Sequence, residues 1–89
     1  MATMQVDVVT PEERLFSGEA EEVYARSTEG EIGILPGHQP ILLALEGGSA
    51  VRVRAGGQEH RYDIGGGFLE FRDNRLRVLA DEGGDECED

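Results

Sequence analysis

The 89-residue chain has no lysine, no tryptophan and a single cysteine, Cys87. Each absence removes a class of chemistry. Without a lysine amine there is no Walker-type phosphate loop, no Schiff base and no attachment point for a biotinyl or lipoyl group. One cysteine cannot close a disulfide within the chain, which fits a reducing compartment. No apolar run approaches the roughly 20 residues of a membrane span, and residues 1–10 lack the basic and apolar regions of a secretory signal. A cytosol-like location is expected. Positive charge is scarce as well: 19 acidic residues stand against 8 basic ones, all arginine, for a net charge of −11. A field of that sign repels phosphate backbones and anionic bilayers, so neither nucleic acid nor direct lipid insertion is expected, and basic protein surfaces become the natural partners.

Residues that could carry out chemistry are also few. His38 and His60 are the only histidines, and neither belongs to an HxH, HxxxH or Cys/His spacing, so no metal site is expected. Ser17, Ser27 and Ser49 lie in no nucleophile elbow, and Cys87 has no cationic neighbour to favour its thiolate. Adjacent acids such as Glu12 with Glu13, or Glu29 with Glu31, are ordinary solvated charge in so acidic a chain. No catalytic residue and no cofactor is assigned.

Short alternating segments separated by turn residues every 8–12 positions dominate the chain. This is the pattern of an all-β protein, a two-sheet antiparallel β-sandwich of about ten short strands. Val6 and Val8 alternate with Gln5 and Asp7, and Val51 and Val53 with Arg52 and Arg54 between two Gly-Gly turns. Leu76 and Val78 alternate with Arg75 and Arg77 after a turn at Asp73-Asn74, with further strands expected near 21–28 and over 58–64. Thr10-Pro11-Glu12-Glu13 has the N-cap chemistry of one helical turn, or of a turn alone. His60 is expected to be a solvated strand residue. Gly65-Gly66-Gly67 lacks phosphate-loop spacing and reads as a bend or bulge. Residues 4–81 form one expected domain. Residues 82–89 form an acidic tail, and the last nine residues hold six acids and two glycines, a composition expected to be disordered.

The segment 29–40 carries the most information. In Leu35-Pro36-Gly37-His38, Pro36 presets φ near −65° and Gly37 tolerates positive φ, so a type II turn is expected, and Pro40 extends Gln39. A stiff, exposed loop displaying Glu31 and His38 has a low ordering cost on binding. His38 is open to two readings, a local hydrogen-bonding residue or an interface contact. Two strands also break the one-face rule. Ile41-Leu42-Leu43-Ala44-Leu45 is apolar on both faces, and Phe68 lies on the face of Glu70 and Arg72. Either the domain covers both faces itself, or Leu42 and Phe68 form an exposed patch for another subunit.

Five ordered motifs, over residues 6–12, 15–18, 29–38, 64–70 and 78–81, resemble the epsilon subunit of the bacterial F-type ATP synthase (delta in mitochondria). The resemblance implies a ten-stranded β-sandwich at the foot of the central stalk, a rotor part with no active site. Such a part holds the gamma subunit on the c-ring, coupling proton transport to ATP synthesis in the alpha/beta head, at the cytoplasmic face of the bacterial cell membrane. It implies a ring-facing loop of Glu31, Gly33, Pro36, Gly37 and His38, with Leu42 and Phe68 as contributors to a gamma-facing flank. Members of this family usually continue into a C-terminal helical hairpin. Gly83-Gly84 and the acidic end are poor helix material, so the hairpin and its inhibitory role are not expected in these residues. The competing readings are a small acidic carrier or protein-binding module and a cupin-like metalloenzyme, the first disfavoured by the missing lysine and the second by the missing histidine cluster.

Overall fold

Alternation of apolar and polar residues becomes, in the computed structural model, ten strands wrapped around one core. The structure describes residues 2–81 and 83–86. The strands are β1 (Met4–Val9), β2 (Arg14–Ala20), β3 (Glu22–Ser27), β4 (Gly30–Ile34), β5 (Ile41–Leu45), β6 (Ser49–Ala55), β7 (Gln58–Ile64), β8 (Gly67–Arg72), β9 (Arg75–Ala80) and β10 (Gly83–Glu86). They run in the order β10-β7-β6-β3-β5-β8-β9-β1-β2, with β4 added on β3. The β3–β5 junction is a single residue pair, Ser27 opposite Leu45, so the sheet folds there into two layers. One layer is β10-β7-β6-β3-β4 and the other β5-β8-β9-β1-β2, which is the expected sandwich.

Val6, Val8, Val23, Val51, Val53, Leu69, Phe71, Leu76 and Val78 are fully buried, each on the inward half of an alternating strand. Burying each such side chain is worth about 1.5–3 kcal/mol, which is what holds so thin a sandwich together. Turns form where sequence chemistry places them. Asp73 and Asn74 have φ of 55° and 58°, the two left-handed positions of a tight hairpin between β8 and β9. At the other end of β8, a Cβ on Gly67 would collide with the Leu79 carbonyl, so the glycine run is a bend where two backbones meet closely.

Several expectations need correction. The pairing is not wholly antiparallel: β1 and β9 are parallel, with Val6 opposite Leu76 and Val8 opposite Val78, because the first strand inserts beside β9 instead of completing a hairpin with it. At Thr10 the second of the two expected forms, a turn alone, is present. The Thr10 Oγ1 accepts from the Glu12 and Glu13 amides at 3.3 and 3.1 Å, and its own amide donates to Glu13 O at 2.8 Å, closing a tight turn that leads straight into β2. His60 is half-buried on the inward side of β7, its ring 5.7 Å from that of Phe16. The expectation of disorder after residue 81 fails over Gly83–Glu86, where backbone pairing with β7 adds a strand, and otherwise concerns 82 and 87–89, which lie outside the described residues.

Candidate docking surfaces

The expected turn is present and tightly held. The His38 amide donates to Leu35 O at 3.1 Å, and Gly37 has φ of 83°, which completes a type II turn at Pro36-Gly37. Asn74, in the β8–β9 hairpin, reaches across to this turn. Its Oδ1 accepts from the Gly37 amide at 3.0 Å, its Nδ2 donates to Thr3 O at 3.0 Å, and its backbone carbonyl accepts from Gln5 N–H at 3.2 Å. One residue thus ties the loop, the hairpin and the N-terminal strand together. His38 folds inward over the core, with its ring edge-on to Phe71 at 5.9 Å and 82°. Its Nδ1 lies 2.7 Å from Gln39 O, a contact in which the ring nitrogen must donate. The local reading of His38 therefore has direct contacts behind it.

Glu31 and Gly33 belong to a different place. They share the outer face of β4, opposite Arg26 and Tyr24 of β3. At about 3.3 Å per residue, Glu31 begins roughly 13 Å before the turn. Its Oε2 is 3.6 Å from the Arg26 guanidinium, and both side chains are more than half exposed. Gly33 is small because the Tyr24 ring lies over it: a Cβ there would come 2.8 Å from Tyr24 Cε1. The Arg52 guanidinium stands 5.5 Å above the same ring, and the Tyr24 hydroxyl donates to Glu22 Oε1. That hydrogen bond, reinforced by the negative charge of Glu22, holds the phenol above its ordinary pKa. The five loop residues expected to act together thus divide into a pinned turn, Pro36 to His38, and an ion-paired strand face.

Leu42 and Phe68 stand in the open. Leu42 is 68% exposed and Phe68 54%, so the domain covers only one face of these strands. Register places Val9, Leu79, Phe68 and Ala44 side by side across β1, β9, β8 and β5, with Leu79 also largely exposed. The next row holds Asp7, Arg77, Glu70 and Leu42. Leu79 on this face escaped the sequence reading, which had already set Arg72 beside Phe68 and Arg75 on the outward register of β9. Leu79 was legible as the outward member of β9, two residues beyond Arg77, while the use of Asn74 by a turn 37 residues away has no local signal.

A pinned turn and a row of exposed apolar side chains on one outer face define a β-sandwich with two candidate docking surfaces. The match to known sequences gives the class its family. The family model described as ATP synthase, delta/epsilon chain, beta-sandwich domain covers residues 3–83, and the chain belongs to that family. An ATP synthase epsilon chain of Anaeromyxobacter sp. (strain K) is 46% identical over 78 residues, 88% of this chain and 58% of the relative. The chain therefore spans little more than half the length of that relative. The ATP synthase epsilon chain of Frankia casuarinae, 41% identical over 78 residues, is itself 92% covered. Among solved structures, a chain in the Euglena gracilis mitochondrial ATP synthase, described as OSCP/F1/c-ring, aligns with a TM-score of 0.86 and 25% identity over 94% of this chain and 54% of that one. A chain from the central stalk and c-ring of Tetrahymena thermophila mitochondrial ATP synthase shares the fold, with a TM-score of 0.78 and 18% identity over 94% of this chain and 67% of that chain.

Proposed function

We propose that the chain is a non-catalytic central-stalk element of a proton-translocating F-type ATP synthase, seating the gamma subunit on the c-ring at the cytoplasmic face of the cell membrane. Chemistry belongs to the alpha/beta head, and this domain transmits torque through stiff contacts. The observation that carries the reading is the exposed row Leu79, Phe68 and Ala44, continued by the half-buried Val9 and with Leu42 beside it, on a sandwich of this family. A solvent-facing strand position occupied by Phe or Leu exposes apolar surface that another subunit can remove from water, at about 25 cal/mol per Å². The turn Pro36 to His38 meets the ring in this reading. Pinning by Asn74 and His38 packing on Phe71 lower the ordering cost of that contact. Glu31, already paired with Arg26, exchanges that partner for a ring donor.

The test uses the full chain with synthase stripped of its own epsilon subunit. Tagged chain should co-elute with gamma and restore coupling of ATP hydrolysis to proton pumping, and Glu31→Arg should weaken the attachment to the ring. Failure to co-elute with gamma under low and moderate salt would remove the proposal. Normal coupling by Glu31→Arg would remove only the role given to Glu31.

A further inference from the structure

Eight arginines divide evenly between the two outer faces, and their circumstances differ. Arg26, Arg52, Arg54 and Arg61 lie on the β3-β4-β6-β7 face, each within ion-pair distance of a carboxylate: Glu31, Glu59, Glu22 and Asp63 respectively, at 3.6 to 3.9 Å. Arg14, Arg72, Arg75 and Arg77 lie on the β5-β8-β9-β1-β2 face. Of these only Arg72 has an ion pair among the described residues, with Asp73 at 3.9 Å, and Asp73 is 91% exposed. Arg77 stands between Asp7 and Glu70 in register, and Asp7 is engaged by the Ser17 hydroxyl at 2.8 Å. Arg72 and Arg75 face each other directly across the hairpin. Like charges directly opposite are unfavourable in an isolated sheet. Together with Glu70, Asp73 and Arg77 they line a depression of about 350 Å³.

A chain of charge −11 therefore keeps Arg14, Arg75 and Arg77 outside ion-pair distance of any carboxylate among the described residues, on the face that also exposes Leu42, Phe68 and Leu79. Resting on the docking role given to this face above, we propose that its occupant is a segment of gamma with an apolar ridge edged by carboxylates. The ridge covers Val9, Leu79, Phe68, Ala44 and Leu42, and the carboxylates meet Arg72 and Arg75. Charge complementarity selects this chemistry. A basic edge would meet two facing guanidiniums, whereas an acidic edge relieves their mutual repulsion and can accept bidentate hydrogen bonds from their planar forks. Arg72 and Arg75 lie at the hairpin end, beside the turn that Asn74 pins, while Arg14 lies opposite Val9 at the other end of this face.

Binding of the chain to purified gamma, or to the gamma-containing complex lacking epsilon, tests this at 50 and 300 mM salt. The double variant Arg72→Glu/Arg75→Glu should bind about tenfold or more weakly at low salt and lose much of the salt dependence of the parent chain. Arg52→Glu/Arg54→Glu, on the paired face, serves as the matched charge control and should stay within about twofold. Phe68→Ser separates the two levels of the claim. If Phe68→Ser binds weakly while Arg72→Glu/Arg75→Glu equals the parent, the acidic edge is wrong and the docking face stands. If neither substitution changes affinity, gamma does not dock here and both readings fall. Thermal melts confirm that these exposed substitutions leave the fold intact.

Discussion

The two outer faces of this sandwich have been built to opposite rules. On β3, β4, β6 and β7 every guanidinium has a carboxylate across or along the strand, and the one exposed aromatic, Tyr24, is covered by Arg52 and hydrogen-bonded to Glu22. On β5, β8, β9 and β1 the guanidiniums are mostly unpaired and the apolar side chains stand uncovered. A face that satisfies itself can be left to water. A face with exposed apolar rows and unpaired charge is complete only when something else lies on it. The difference also locates the charge excess, because the paired face balances its arginines internally while the other face departs from the acidic average of the chain.

The sharpest way to break that contrast is to truncate matched aromatic and apolar groups on each side. Phe68→Ser with Leu79→Ser should reduce affinity for the gamma-containing complex by about 100-fold, the scale of a pair of central hot-spot side chains. Tyr24→Ser should change it by less than about twofold. Isothermal titration of both variants decides the matter, and equal losses would erase the distinction between the faces.

A smaller effect is expected where the open face ends, at the hairpin that holds the Pro36-Gly37 turn. Asn74→Gly keeps the left-handed backbone, φ 58°, but removes the two side-chain hydrogen bonds to Gly37 and Thr3. Each is worth about 0.5–1.5 kcal/mol. The variant should lose about 1–2 kcal/mol in denaturant unfolding, and the Gly37 amide should exchange with solvent faster while the β6–β7 amides keep their protection. Uniform acceleration across the sandwich would mean that Asn74 supports the fold and not the turn in particular.

Much of this contrast was legible in the sequence, and the reason is periodicity. Alternation gives each strand an inside and an outside, so Leu42 and Phe68 stood out as apolar residues on a polar register, and the Pro-Gly pair fixed its turn without help. What alternation cannot give is which strands become neighbours. The parallel β1–β9 pairing, the capture of the Gly37 amide by Asn74 and the packing of His38 on Phe71 all join residues far apart in the chain. The same limit explains why Glu31 was grouped with His38. They are close in sequence, yet a straight strand holds them apart. His60 was misplaced for another reason: an inward-facing polar residue near Phe16 and Tyr62 has the same composition signal as an outward one.

On the paired face itself, losses should be small. Glu59 lies 3.9 Å from both Arg52 and Arg54, so Glu59→Gln removes two ion pairs at once. Exposed pairs contribute about 0–1 kcal/mol, so the midpoint of urea unfolding should shift only slightly, and less in 0.5 M salt. A loss of several kcal/mol would show that this face is a structural network and not a solvated one.

The finest probe of the same face is the Tyr24 phenol. It donates to the Glu22 carboxylate, so ionising it would break that bond and set two negative charges together. Those two effects, with a minor one from partial burial, outweigh the opposing pull of Arg54 and Arg52 and raise the pKa above 10.0. A raised folded pKa means that the associated stabilisation is fully present below the unfolded value and disappears as pH climbs through the folded one. Absorbance titration near 295 nm, with Tyr24→Phe subtracted to isolate this phenol from Tyr62, should place the transition above pH 10.0. Glu22→Gln should move it down, and Arg52→Gln should move it up. An unchanged transition in Glu22→Gln would mean that the hydroxyl is free in solution, and the self-sufficiency of this face would then rest on its ion pairs alone.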